Sequence, residues 1–277
     1  MPIDDGRRGQ RFCVFHPAQG SMSLGSILYI HPFAEEMNKS RRMAALQARA
    51  LARAGYAVLQ LDLLGCGDSS GDFGDASWND WIMDVVQACN WLSSRGHARL
   101  WLWGLRSGCF LAAEAARQLA YPCDYLFWAP ATAGKLLLQQ FLRIEAAAGI
   151  TSGNAKNATE SLRRQLAAGV TVEVAGYALS PGLANGLEQA VLTPPERIDT
   201  NRAPRRVEWL ELSTSADATL SPISVKTCDQ WRQAGHSIRS QVVNGPSFWR
   251  TTEIEDAPAL IIASVAAMAP VEQLVAV

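Results

Sequence analysis

Short apolar runs of high β propensity alternate with helical segments along most of this chain. Ser26–His31, Tyr56–Leu63, Leu100–Leu105, Cys123–Trp128, Arg206–Leu212 and Ser237–Val243 read as strands, with a shorter one at Arg11–Phe15. Tyr56–Leu63 is almost continuously apolar, the pattern of a strand buried on both faces. Between the strands the apolar spacing is helical over Ser40–Ala54, Ser77–Ser94, Ser107–Leu119, Pro222–Ala234 and Asp256–Met268. Ser40 and Ser77 read as N-caps, and Gly55 as the stop of the first helix. Strands and helices in alternation define the α/β class, a mostly parallel sheet with helices on both faces.

The alternation breaks once. Residues 131–204 carry helical stretches, one apolar run at Thr171–Tyr177, and the punctuation Ser180-Pro181-Gly182 and Thr193-Pro194-Pro195. The expected organisation is a core made of 1–130 and 205–277, with 131–204 inserted as a cap. Such a cap would sit over the C-terminal edge of the sheet, where open α/β sheets bind ligands.

Composition narrows the function classes. The 277 residues suit one α/β domain with an insertion, and 48% apolar content supports a sizeable core. A net charge of −1 and the lack of a basic run argue against a nucleic-acid partner. The most apolar stretch, Ala257–Val271, is interrupted by Pro258, Ser264 and Pro270. It falls short of the roughly 20 residues that span a bilayer, so a membrane span is not expected. Met1–Phe12 is polar and charged, unlike a signal peptide. Cysteines at 13, 66, 89, 109, 123 and 228 have neither metal-ligand nor redox spacing. They read as reduced thiols in a cytoplasmic protein. No histidine pair has helical metal spacing, so neither a metal nor a cofactor is expected.

One local motif carries chemistry. Trp101-Leu102-Trp103-Gly104-Leu105-Arg106-Ser107-Gly108 reads as an apolar strand, a Gly-x-x-x-Gly elbow and a helix start. A turn of this kind exposes its middle side chain above the sheet, and the glycines let the turn pack tightly. The middle residue is Arg106, which stays protonated near pH 7 and is no nucleophile.

The element order resembles the α/β-hydrolase superfamily over nearly the whole chain. Finer stretches resemble the second (type 2) of the two hydrolase-like families encoded with the exosortase A system. They are His31-Pro32-Phe33-Ala34-Glu35-Glu36 through Arg42, Gly104-Leu105-Arg106, Glu173–Tyr177 with Leu179-Ser180-Pro181, and Pro246–Trp249 followed by Thr252-Glu253-Ile254. The resemblance implies a setting beside bacterial exopolysaccharide production and the sorting of proteins with a Pro-Glu-Pro signal.

It also implies positions for a catalytic triad. Arg106 occupies the nucleophile position. Asp217, in Asp217-Ala218-Thr219-Leu220-Ser221-Pro222, matches the acid. The loop after the last strand, Val243–Trp249, contains no histidine. His236 precedes that strand and belongs at the opposite end of the sheet, roughly 20 Å away. Loss of the nucleophile removes about 10⁶ in turnover in a measured hydrolase. A residual enhancement of roughly 10³–10⁴ remains from the oxyanion hole and binding. A conventional serine esterase is therefore disfavoured.

Two function classes stay open. One is an esterase, thioesterase or acyltransferase using Ser107 or Cys66, with Glu35, Glu36, His31 or Asp217 as base. A Cys66 thiolate would be favoured by a nearby Arg106. The other is a silent binder of an anionic or acyl-bearing small molecule. In it Arg106 faces Glu35, Glu36, Asp217 or Glu253, or an external carboxylate or phosphate of an acyl or sugar conjugate. The Ser107 amide and one from Phe33–Ala34 would form the oxyanion hole. His31, Phe33, Ala34, Cys66, Tyr177, Phe248 and Trp249 are expected around the ligand. Arg41 or Arg42 would pair with Glu35 and Glu36 or reach into the cleft.

Overall fold

The computed structural model describes residues 9–20, 22–96, 99–148, 155–195 and 204–270. In chain order the elements are β1 (Cys13–His16), β2 (Gly25–Ile30), α1 (Glu35–Arg53), β3 (Tyr56–Leu61), α2 (Trp78–Ser93), β4 (Leu100–Leu105), α3 (Gly108–Ala116) and β5 (Cys123–Trp128). They continue with α4 (Gly134–Ala148), α5 (Ala155–Ala167), β6 (Val172–Val174), β7 (Tyr177–Leu179), α6 (Pro181–Gln189), β8 (Arg206–Ser213), α7 (Pro222–Gln233), β9 (Ser237–Asn244) and α8 (Pro258–Met268).

Seven strands form one sheet in the order β1-β3-β2-β4-β5-β8-β9. All neighbours run parallel except β1, which lies antiparallel to β3. Parallel pairing follows from the helix that separates successive strands, since a tight hairpin cannot connect them. Alternate residues of each strand enter different cores. Ile27, Tyr29, Trp101 and Trp103 pack with Ala44, Leu51 and Leu260 under α1 and α8. Leu28, Ile30 and Leu102 pack with Val85, Phe110 and Trp231 under α2, α3 and α7.

Three local expectations change. The first helix starts at Glu35, not Ser40. Ser40 is buried within it, and its hydroxyl donates to the Glu36 carbonyl at 2.6 Å. The acidic pair therefore occupies the first turn, where the helix dipole favours it. Second, Thr171–Tyr177 is a hairpin of β6 and β7, turned at Ala175 (φ 51°) and Gly176 (φ 82°). Third, the first strand begins two residues later than the apolar run predicts. Ser77 does cap α2, accepting from the Asp80 amide while Asp80 reaches back.

Between β5 and β8 the chain forms α4, α5, the hairpin and α6. This segment packs on residues 73–78, which lead into α2. Gly186 lies so close to Trp78 that a Cβ there would come within 2.0 Å of the tryptophan Cβ. The Ser180 hydroxyl donates to the Ala76 carbonyl at 2.6 Å. Among the described residues no helix is long and apolar enough to cross a membrane.

Candidate functional site

Arg106 holds the elbow in the left-handed region, with φ 55°. Its amide donates to the Trp128 carbonyl at 3.0 Å, tying the turn to the end of β5. Both flanking glycines are sterically required. A Cβ at Gly104 would lie 2.6 Å from the Cys109 nitrogen, and one at Gly108 would lie 2.2 Å from the Ile30 carbonyl oxygen. Two further non-glycine residues have positive φ beyond the ends of adjacent strands: Ala34 (46°) after β2 and Ala129 (41°) after β5. Such conformations cost about 1–3 kcal/mol each and gather at functional sites. The Ser107 and Ala34 amides have no backbone acceptor among the described residues.

The Arg106 guanidinium meets Glu36. Its Nε lies 3.4 Å from Glu36 Oε1, and its Nη1 lies 3.4 Å from the Ala129 carbonyl oxygen. It also sits over the Trp249 ring at 5.4 Å. Arg250 Nε approaches the same Glu36 oxygen at 4.0 Å, while its Nη2 donates to Gln140 Oε1 at 2.8 Å. Glu36 Oε2, Glu35 Oε2 and the Trp249 indole N–H are buried without partners. Burial raises the pKa of Glu36, against the lowering pull of Arg106 and Arg250. Burial raises Glu35 as well.

Two adjoining clefts open here. One, of about 290 Å³, is lined by Arg106, Ala129, Leu137, Glu211, Trp249 and Arg250 among others. The other, of about 470 Å³, is lined by Phe33, Glu35, Glu36, Lys39, Phe141, Trp249 and neighbours. Leu137, Gln140, Trp249 and Arg250 belong to both. The Arg250–Gln140 bond thus runs along their shared wall and joins the loop after β9 to α4.

A sheet of this order, crossed by an elbow at the end of β4, can be compared with known proteins. A family model described as serine aminopeptidase, S33, matches residues 23–244. The chain belongs to this S33 family of α/β-hydrolases. Among solved structures it resembles Est1E from Butyrivibrio proteoclasticus, determined with ferulic acid, at 16% identity and a TM-score of 0.64, covering 99% of both chains. Mouse alpha/beta hydrolase domain-containing protein 10 is 14% identical with a TM-score of 0.55, covering 99% of this chain and 96% of that one. A proline iminopeptidase from Mycobacterium smegmatis is 17% identical with a TM-score of 0.53, covering 96% of both. The comparison with curated proteins finds no match. At these identities the likeness establishes the fold.

Within this S33 scaffold the residues singled out from sequence fall into different places. Arg106, Glu35, Glu36, Phe33 and Trp249 line the clefts. Phe33 also packs edge-on against Phe141 at 5.1 Å between ring centres. Phe248 is buried against Trp128 and lines neither cleft. Tyr177 stacks edge-on with Phe73, and its hydroxyl accepts from Asn38 at 3.1 Å. Ser107 is 1% exposed, with no side-chain capping bond.

Several expectations fail on geometry. His31 is buried, its Nδ1–H donates to the Pro32 carbonyl at 2.8 Å, and its Nε2 accepts from the Leu63 amide at 3.3 Å. Both nitrogens are occupied, and burial lowers its pKa, so it is a neutral structural group with no free base. Cys66 is buried among Asp62 and Asp84, and burial pushes its thiol well up; no Arg106 stabilises a thiolate there. Asp217 lies exposed in the turn after β8 and lines neither cleft. Glu253 is also exposed. Arg41 pairs with Asp62 at 3.0 Å and Arg42 with Asp256 at 2.8 Å, so neither meets Glu35 or Glu36. His236 is buried beside Trp231 and Tyr125, before β9.

Sequence reasoning missed Arg250, Gln140 and Lys39. Arg250 directly follows Phe248-Trp249 in the loop that lacks histidine, which was a usable signal. Gln140 carried none. Among the described residues no group of three or more His, Cys, Asp or Glu side chains is arranged to hold a metal ion.

Proposed function

We propose that the elbow binds a small anionic molecule and does not perform serine-hydrolase acyl transfer. The ligand is a carboxylate, a phosphate, or an acyl or sugar conjugate bearing one. The observation that carries this reading is the pairing of Arg106 and Arg250 with one oxygen of Glu36, both at long range. Two guanidinia sharing one carboxylate oxygen, both at long range, leave N–H groups for a ligand in clefts whose lining also carries Lys39, Glu35 and Glu211. A planar fork of donors suits a bidentate oxyanion. The Ser107 amide and the start of α3 add donors of the same polarity. In this reading residues 131–204 act as the cap over the ligand.

The finer setting rests on sequence. The stretches that resemble the exosortase A-associated family support a role beside exopolysaccharide production. The free state of all six cysteines supports a cytoplasmic location.

The test has two arms. Calorimetric titration with benzoate and with inorganic phosphate should give saturable binding to at least one, lost in Arg106→Ala. Treatment with a fluorophosphonate probe and activated esters should give neither labelling nor turnover. Turnover that disappears in Ser107→Ala or Cys66→Ala would establish the catalytic alternative instead.

A further inference from the structure

A separate cavity of about 260 Å³ lies between α1 and the edge strand β1. It shares no lining residue with the two clefts at the elbow. Its origin is local. The edge strand has only four residues, and α1 places the small Ala44 and Ala45 toward it. Arg41, Ala45 and Arg49 recur every fourth position and share one flank of the helix. The two arginines therefore stand about 12 Å apart along the helix, with a small residue between them.

The polar groups here are unevenly matched. Arg41 is held by Asp62 at 3.0 Å, but Arg49 has no partner among the described residues. Two guanidinia face one carboxylate, so the lining carries an excess positive charge. His16 Nε2 shares a hydrogen bond with Gln60 Oε1 at 3.0 Å. Tyr29, at the base, is 5% exposed and its hydroxyl has no partner. Burial raises its pKa, so it remains a protonated donor. Val14, Met37 and Leu61 supply an apolar wall.

We propose that this groove is a second binding site, for a small organic monoanion: a carboxylate on a short apolar stem. The carboxylate sits at Arg49, while Arg41 stays with Asp62 at the other end of the groove. The stem lies over Ala45 and Val14. The cavity falls just under the roughly 300 Å³ of drug-sized sites, which limits the stem to a few carbons. The apolar wall disfavours inorganic phosphate, and the unpaired cation disfavours a neutral alcohol.

Hexanoate is a suitable probe, titrated into the full chain and followed by amide chemical shifts. Saturable shifts are expected at Val14, Ala45 and Gln60 whether or not Ser107 and Ala129 respond, which separates this site from the elbow. Arg49→Gln should weaken the effect about tenfold, the size of one charge-assisted contact. Ala45→Leu should abolish it by filling the groove. Both positions are on the outer flank of α1, and unchanged melting temperatures would show that the variants fold. The proposal fails if hexanoate leaves the groove amides unmoved, if Arg49→Gln and Ala45→Leu bind as the parent does, or if 1-hexanol or inorganic phosphate binds there equally well.

Discussion

Arg106 Nε and Glu36 Oε1 face each other across the elbow at 3.4 Å, farther apart than the 2.7–2.9 Å or so of a strong charge-assisted bond. The second carboxylate oxygen has no partner, and Arg250 stands 4.0 Å from the first. The pair neutralises the cation at the middle of the elbow without saturating it.

The first prediction concerns the elbow itself. Arg106→Ser puts a hydroxyl where α/β-hydrolases place one, yet p-nitrophenyl butyrate should not be turned over. His31, in the loop after β2, cannot take its proton, because it is tied at both nitrogens to Pro32 and Leu63. Measurable turnover in this variant would mean that a base had been overlooked.

The second concerns pH. The Glu36 pKa is raised by burial in the folded state, so the folded chain binds a proton more readily than the unfolded one. Stability contributed by this group is present below the ordinary carboxylate pKa of about 4.3 and falls as pH rises through the raised value. Urea unfolding across that window should show a smaller decline for Glu36→Gln than for the parent. Equal declines would exclude Glu36 as a source.

The third concerns the buried ion pair between Arg11 and Asp84, 2.8 Å apart with both side chains almost inaccessible. Asp84 also accepts from the Leu64 amide at 2.8 Å. Arg11→Met strands the carboxylate and should cost about 3–5 kcal/mol. Denaturant midpoints compared with the double variant Arg11→Met/Asp84→Asn will check it, since removing both charges together leaves neither buried without its partner and should cost less.

The fourth separates scaffold from chemistry. Gly108→Ala forces a Cβ to within 2.2 Å of the Ile30 carbonyl oxygen and should destabilise by about 1–3 kcal/mol. Ser107→Ala removes a buried hydroxyl that makes no capping bond and adds no atom to the turn, so it should cost less than Gly108→Ala. Thermal unfolding of the two variants side by side tests the contrast.

Much of this architecture was readable before any coordinates. The strand Cys123–Trp128 and the capped helix behind Ser77 follow the sequence pattern residue for residue, because period-two and period-3.6 patterning and side-chain capping are local. The first helix was read too short because Ser40 resembles a cap, whereas its hydroxyl folds back onto the Glu36 carbonyl inside the helix. The single apolar run Thr171–Tyr177 concealed a hairpin, since two three-residue strands are too short to establish alternation.

The site was less legible than the scaffold. Four carboxylates competed on paper for Arg106, and only packing selected Glu36 over Asp217 and Glu253. Cys66 and Arg106 both follow apolar strands, but Cys66 is buried under the influence of Asp62 and Asp84, not of Arg106. Arg250 reaches Gln140 across 110 positions of chain, a pairing with no trace in local periodicity.

The alternation of strands and helices, the tight elbow and the arginine at its middle were set by local sequence. Propensity, steric demand and side-chain chemistry operate at that range. Which carboxylate the cation meets, which histidine is locked to the backbone, and where the clefts open depended on how distant strand ends are gathered at one edge of the sheet. Coulombic and hydrogen-bonding partners are chosen by distance in space, and crossover connections bring together residues that the linear order keeps apart.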